Sequence, residues 1–245
     1  MIRRIRIATY NVHKCRGLDR RTSPERIAEV INELDADIVA IQEILNVRHG
    51  PAKYDQARTI HRNLEQYEWR FGENRTLHGG PYGNMTLSRL PIQLCRNYDL
   101  TWRNRERRGC LRTDILYAPG VVLHIFNIHL GTSFFERRHQ GRKLLSKEVL
   151  SGLDYRGSRI VVGDFNEWTR GLVSRSMADA FESINLRSFM RYTRTYPGIL
   201  PLLHLDHFYY DKQLSLRSFR LHRSRTALIA SDHMPLVAEF EIDSR

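Results

Sequence analysis

Cysteine is scarce in this chain of 245 residues. Only Cys15, Cys95 and Cys110 are present. An odd number at long spacings implies no disulfide framework, and no close Cys-x-x-Cys pairs offer a zinc site. A reducing compartment is the expectation. Long apolar runs are missing too. No stretch approaches the roughly eighteen apolar residues of a membrane span. Met1-Ile2-Arg3-Arg4-Ile5-Arg6 is broken by arginines before it reaches the apolar length of a signal peptide. Repeats, low-complexity segments and linker-like stretches are absent as well. The expectation is a soluble, cytoplasmic monomer, organised as one domain over residues 1–245. Acidic side chains fall short of basic ones, 27 against 39, leaving a net charge of +12. That excess points to an anionic partner, either nucleic acid, an acidic lipid surface or a phosphorylated substrate, or to a merely arginine-rich surface. Hydrophobic residues make up 41 %, enough for a sizeable core and too many for wholesale disorder.

Periodicity supplies the elements. Ile2 to Tyr10 alternates as a strand. Thr22-Ser23-Pro24-Glu25 reads as a helix start, with a hydroxyl cap, an early proline and an acid near the positive end of the dipole. Ile27, Val30, Ile31 and Leu34 then mark one buried helical face. Ile38 to Ile41 is a short buried strand ending at Glu43. Such a strand, helix, strand unit builds layered α/β folds. Asp55 to Gln66 is predicted helical, Trp69 to Gly72 and Met85 to Leu87 are predicted strands, and His78 to Gly83 a loop between them. Val121 to Ile128 is a β-branched strand. Ser133 with Glu136 is predicted to form a capping box for a helix reaching about Leu150. Ile160 to Val162 is a strand, residues 171 to 182 a helix. Phe208 to Tyr210, Ser218 to His222 and Leu236 to Ile242 are the last strands.

Polar side chains collect at the ends of these strands. Asn11 follows the first and Glu43 the second. His129 follows Val121 to Ile128, and Asp164 with Asn166 follows Ile160 to Val162. Asp206 precedes Phe208, and Asp232 with His233 precedes the last strand. Singly, each has an ordinary explanation, because Asn and Asp favour turns and a lone His is usually structural. As a set they suit metal-assisted phosphoester hydrolysis. Mg²⁺, with Mn²⁺ as the alternative ion, takes oxygen ligands and needs only one or two carboxylates. Glu43 is the natural ligand, with Asn11 beside it. Asp164 can activate water while Asn166 holds the water or phosphate. His129 and His233, as imidazolium ions, can donate to the developing negative oxygens. Asp206 can orient His233.

These residues resemble the motifs of the endonuclease/exonuclease/phosphatase superfamily, along essentially the whole chain and in its order. Thr9-Tyr10-Asn11-Val12-His13 is similar to its first motif and Ile41-Gln42-Glu43 to its metal-binding motif. Gly83-Asn84-Met85-Thr86-Leu87-Ser88-Arg89 is similar to the segment that follows. Asn127-Ile128-His129-Leu130 resembles the catalytic histidine strand. Gly163-Asp164-Phe165-Asn166, Leu205-Asp206-His207-Phe208 and Ser231-Asp232-His233-Met234-Pro235-Leu236 resemble the last three. The resemblance implies a four-layer α/β sandwich, two packed and mainly antiparallel β-sheets flanked by helices, with the active site at one edge of the sheets. It implies that Glu43 ligates Mg²⁺ with Asn11 and Asp232 near the metal, and that Asp164 activates water. Asn166 and His129 would contact phosphate, and Asp206 would pair with His233. Apurinic endonucleases carry Asp where this chain has His13 and Tyr where it has His129. The latter His is like the deoxyribonuclease, sphingomyelinase and phosphatase branches, and the first motif looks most like small bacterial members.

Substrate is the less defined half of the reading. Arg108 and Arg112 precede the His129 strand and are candidate phosphate contacts, with bidentate geometry favouring Arg over Lys. Asn84 and His13 are further candidate substrate contacts. Tyr82, Trp102 and Trp168 are read as loop aromatics that stack bases, touch an acyl chain or pack the rim. A nuclease-type substrate, DNA or RNA, is slightly favoured by charge. The alternative is a phospholipid or small-molecule phosphoester, handled at an anionic lipid surface in the first case. A catalytically inactive binding module is the remaining class.

Overall fold

The computed structural model describes residues 2–48, 51–152, 155, 157–167, 171–184, 194–198 and 203–243. Its strands are β1 (Ile2–Asn11), β2 (Ile38–Leu45), β3 (Glu68–Leu77), β4 (Gly80–Ser88), β5 (Ile92–Asp99), β6 (Gly109–Ala118), β7 (Val121–His129), β8 (Ser158–Asp164), β9 (Glu182–Ser183), β10 (Asp206–Tyr210), β11 (Leu214–Leu221) and β12 (Leu236–Asp243). Among the described residues they form two sheets, ordered β11-β12-β1-β2-β4-β3 and β5-β6-β7-β8-β10-β9. Each is antiparallel except for one central parallel pair, β1 with β2 and β7 with β8. The helices are α1 (Pro24–Leu34), α2 (Gln56–Arg62), α3 (Phe134–Leu144), α4 (Leu172–Ala180) and α5 (Arg225–Ala230). None is long and apolar enough to cross a membrane.

Alternation along the central strands sorts side chains into layers. Ile5 and Ile7 of β1, Ile160 and Val162 of β8, and Leu236, Ala238 and Phe240 of β12 fill the space between the sheets. The intervening residues Ala8, Tyr10, Val39 and Ile41 face the other way, against α1, whose Ile27, Val30, Ile31 and Leu34 cover that sheet. Phe126, Ile128 and Val161 of the second sheet face Leu144, Val173 and Met177 from α3 and α4. Central strands are therefore apolar on both faces, which is why their sequences read as short continuous apolar runs. The result is the expected four-layer α/β sandwich. Helix α1 starts as the sequence dictates: Ser23 Oγ accepts from Arg26 N at 3.2 Å and Pro24 opens the first turn.

A polar plug crosses the inter-sheet core just below the strand ends. Gln42 Nε2 donates to Asn127 Oδ1 at 2.8 Å. Asn127 Nδ2 donates to the carbonyls of Ile41 (3.1 Å) and Met85 (2.9 Å), and Asn84 Nδ2 donates to Asn127 O at 3.2 Å. These amides clamp β2 and β4 of one sheet to β7 of the other, so the strand ends of both sheets are held together.

Several expectations change. Strands β5 and β6 occupy a stretch whose arginines hid them. His78 and Gly79, both at positive φ, make a tight hairpin turn, and the rest of the expected loop, Gly80 to Gly83, belongs to β4. Such turns join strands whose twist requires positive φ at both central residues. The expected helix from Asp55 to Gln66 is confined to α2. The capping box does not form: Ser133 makes no side-chain cap bond, Glu136 turns inward against Gly131 and Gln140, and α3 ends at Leu144 rather than near Leu150. Tyr82 lies in β4 and is buried, not in a loop. Trp168 falls outside the described residues.

Candidate active site

The C-terminal ends of the two parallel strand pairs meet at one edge of the sandwich. Asn11 ends β1, Glu43 lies near the end of β2, His129 ends β7 and Asp164 ends β8. Register pairs His129 with Asp164 across the parallel ladder, and Asp164 with Asp206 across the antiparallel one. Local backbone aims the groups. β2 and β4 lose register between Ile41 and Ile44, and Glu43 sits at φ 60° in that bulge. A bulge re-aims a side chain that a regular strand would point elsewhere. Asn166, His13 and Lys14 also adopt positive φ, at 49°, 44° and 58°. Backbone strain of this kind persists only where the surrounding structure enforces it. Gly163 permits the approach of β8 to β7, since a Cβ there would lie 2.0 Å from Ile128 O at a φ of +141°.

Asp164 is the hub. Asn11 Nδ2 donates to its Oδ2 at 2.9 Å and the Asn166 backbone N–H to its Oδ1 at 2.8 Å. His129 Nε2 lies 3.6 Å and His233 Nε2 3.8 Å from the same Oδ2. Asn11 Nδ2 also reaches Glu43 Oε1 at 3.3 Å, so one amide bridges the two carboxylates. His233 Nδ1 meets Asp206 Oδ2 at 3.0 Å. His129 is bracketed by Arg108 Nη1, 3.1 Å from its Nδ1, and by the Asn166 amide, 3.1 Å from its Nε2. Lys14 Nζ donates to Glu43 Oε2 at 2.8 Å. Ser231 Oγ donates to Asn11 O at 2.8 Å and ties the β12 approach to β1.

The two imidazoles differ in charge, which corrects the expectation of two imidazolium ions. For His233, burial alone would disfavour the proton, but Asp206, followed by Asp164, outweighs it and raises the group to about 10. For His129, burial and the adjacent Arg108 guanidinium lower it to about 4, so it is neutral near pH 7. Arginine can only donate, so His129 Nδ1 must accept from it. Burial raises the Asp164 carboxyl above the usual range, against the pull of both histidines. Burial acts on Glu43 the same way, yet His129 and Lys14 overcome it and hold the carboxyl well below that range.

Among the described residues no three Asp, Glu, His or Cys side chains form a ready-made metal cluster. Mg²⁺ does not require one, since it binds through one or two carboxylates and keeps several waters. The Glu43 carboxylate, partly open to solvent and flanked by the Asn11 amide, suits such an ion by charge and donor type. Asp232 stands to one side, with its Oδ1 3.5 Å from His13 Nδ1.

Of the sequence-predicted residues, Asn11, Glu43, Arg108, His129, Asp164, Asn166, Asp206 and His233 come together through the bonds above, and His13 and Asp232 flank them. Two candidate substrate contacts are corrected. Arg112 is held inside, bidentate on Asp114 at 2.6 and 2.7 Å and over the Tyr155 ring at 4.5 Å. Asn84 is fully buried in the polar plug. Arg108, expected on phosphate, spends Nη1 on His129 and Nη2 on Glu106 at 3.0 Å.

Comparison with known proteins places the chain in a family. The family model described as "Endonuclease/Exonuclease/phosphatase family" matches residues 8–233. The chain belongs to that family. A curated relative, the uncharacterized protein YbhP of Escherichia coli strain K12, is 30 % identical over 246 aligned positions, covering 97 % of this chain and 96 % of that one. A family protein from Bacteroides thetaiotaomicron superposes with a TM-score of 0.78 at 16 % identity, covering all of both chains. The mannosyl-6-phosphatase Bt3783 of the same species gives 0.74 at 17 % identity over 96 % of this chain and 99 % of that one.

Within the family frame, one contributor escaped the sequence reading and another was assigned to a loop. Lys14 reaches Glu43 only because three successive residues, His13 to Cys15, take positive φ. Tyr82 is buried beside Glu43, and burial first, then that carboxylate, pushes its hydroxyl far above the usual range. Lys14 carries no spacing or composition signal, and nothing in the sequence pairs the Tyr82 aromatic with Glu43.

Proposed function

We propose that this protein hydrolyses phosphoester bonds with the help of a divalent cation, Mg²⁺ in the first instance. One observation carries the reading: a buried carboxylate, Asp164, is fixed by two amide donors and faced by two histidines, one held by the Arg108 guanidinium and the other by the Asp206 carboxylate, which push their protonation in opposite directions. Such an arrangement separates base and acid roles within one site.

Glu43, with Asn11 alongside, would hold the cation, which polarises a phosphoryl oxygen and offsets charge on the leaving group. Asp164 accepts the proton of the attacking water. Burial makes it a stronger base than an exposed aspartate, while the Asn11 and Asn166 N–H groups keep its lone pairs aimed. His233 donates from Nε2 to a phosphoryl oxygen, because Asp206 keeps its Nδ1–H engaged and the ring charged. Loss of one preorganised donor of this kind typically costs about 10²–10³ in rate. Neutral His129 and the Asn166 amide supply a second polar contact from the opposite side.

The test is hydrolysis of bis-p-nitrophenyl phosphate with and without Mg²⁺. Asp164→Asn should abolish turnover while leaving the circular dichroism unchanged. An unchanged rate refutes the assignment. Nucleic acid has the +12 charge in its favour. The neighbour named as a mannosyl-6-phosphatase keeps phosphomonoesters in the substrate panel. A lipid-facing role has its own support in the exposed aromatics that follow the His129 strand.

A further inference from the structure

Immediately beyond His129 the chain turns outward and opens α3 with Phe134 and Phe135, which are 49 % and 63 % exposed. Their rings pack edge to face at 5.5 Å, so together they present one apolar knob. Phe135, Arg138 and Arg142 follow at helical spacing and share a face. Arg138 and Arg142 rim a cavity of about 200 Å³ between α3 and α4, floored by Leu145, Leu172 and Val173. Across from it, the 101–108 loop carries Trp102 with the Arg103 guanidinium over its ring at 4.9 Å, and Trp102 lies 6.4 Å from His139 of α3. Asp99 lies close enough to Arg107 and Lys143 to offset part of this charge, but two other nearby acids are engaged elsewhere. Glu106 is held by Arg75 at 2.8 Å and Arg108 at 3.0 Å, and Glu136 is turned inward. Arg103, Arg105, Arg107, Arg138 and Arg142 are all exposed.

We infer that this face docks the protein on an anionic phospholipid bilayer, with Phe134 and Phe135 inserted and the arginines on the headgroups. Stable, reversible attachment to a bilayer takes an apolar insertion together with a basic patch, and both are present on contiguous elements. The aliphatic floor between the two arginines favours lipid over nucleic acid. A nucleotide strand asks for flat, singly exposed rings and phosphate contacts, not an apolar groove. The knob follows β7 directly, so docking would bring the active-site edge to the membrane surface.

Co-sedimentation of the full chain with vesicles tests this, without turnover, so it stands or falls separately from the hydrolytic reading. Binding should occur to phosphatidylcholine vesicles containing one-third phosphatidylglycerol and not to phosphatidylcholine alone. R138Q/R142Q should weaken it by about 30-fold at low salt, from the usual contribution of each basic residue near an anionic surface. F134S/F135S should weaken it by roughly tenfold or more through the lost apolar insertion. Both variants should keep the wild-type circular dichroism and hydrolysis of a small soluble phosphodiester. Equal binding to neutral vesicles, or binding untouched by F134S/F135S, overturns the inference. So does capture of a single-stranded oligonucleotide by the same residues without vesicle binding.

Discussion

Replacing Asp206 by Asn isolates the charge on His233 while preserving shape. Asp206 is 1 % exposed and its Oδ2 sits 3.0 Å from His233 Nδ1. With it, His233 is raised to about 10 and is almost wholly charged at pH 8. Without it, the principal counter-charge is gone, while burial and the weaker pull of Asp164 and Asp232 remain and oppose each other, so the group should fall towards the ordinary histidine value near 6.5. At pH 8 only about 3 % of a group titrating near 6.5 is charged. A rate that depends on the imidazolium should therefore drop about 30-fold at pH 8. At pH 6 about three-quarters of the same group is charged, so the deficit should nearly vanish. The alkaline limb of the kcat profile thus moves from near 10 to near 6.5. Linkage runs the same way. A folded-state value raised above the unfolded one contributes stability fully below about 6.5, and that stability is lost as pH rises through about 10. The difference in Tm between wild type and variant should shrink over that window. The assay is a pH–rate profile with a soluble phosphodiester, alongside an NMR titration of the His233 ring. A variant that keeps its alkaline limb near 10 and its rate at pH 8 would refute the role of the pair.

Other outcomes follow from the same contacts. Glu43→Gln should weaken Mg²⁺ binding by about 100-fold or more in calorimetry, since even outer-shell losses cost 10–100-fold. Lys14→Ala should tighten it, because the ammonium 2.8 Å from Oε2 competes with the cation for one carboxylate. Arg108→Leu removes a like charge from His129, so the protonation that sits at about 4 should move up towards 6.5, seen as a raised acid limb. Asn127→Ala removes the side-chain donor to the Ile41 and Met85 carbonyls and the acceptor of Gln42 in the inter-sheet core. Thermal denaturation should show a loss of about 3 kcal/mol, or a Tm lower by about 6–12 °C.

Much of the site was legible because its chemistry sits at strand ends and the strands announce themselves. Ile160-Val161-Val162 could only be buried, so Asp164 had to emerge at an edge, and the same holds for His129 after β7. What escaped depends on tertiary context. β5 is an edge strand with exposed side chains, and edge strands read as polar sequence. Arg112 looked available by sequence position, but strand alternation turns it to the α3–α4 side, where Asp114 claims it. The Glu43 bulge and the positive-φ run at His13 to Cys15 are responses to packing, and nothing in residue type predicts them. The different charge states of His129 and His233 arise from which side chain lies 3 Å away, Arg108 or Asp206, from segments distant in sequence.

The central claim rests on Asp164 as the base of a cation-assisted hydrolysis. The most direct measurement is the Mg²⁺-dependent rate on bis-p-nitrophenyl phosphate for wild type and Asp164→Asn, purified side by side. The account predicts turnover that requires the cation and is lost by at least about 10³ in the variant, with the fold intact. Equal rates in the two proteins, or no turnover by wild type with Mg²⁺ or Mn²⁺ on any phosphoester of the panel, would contradict it.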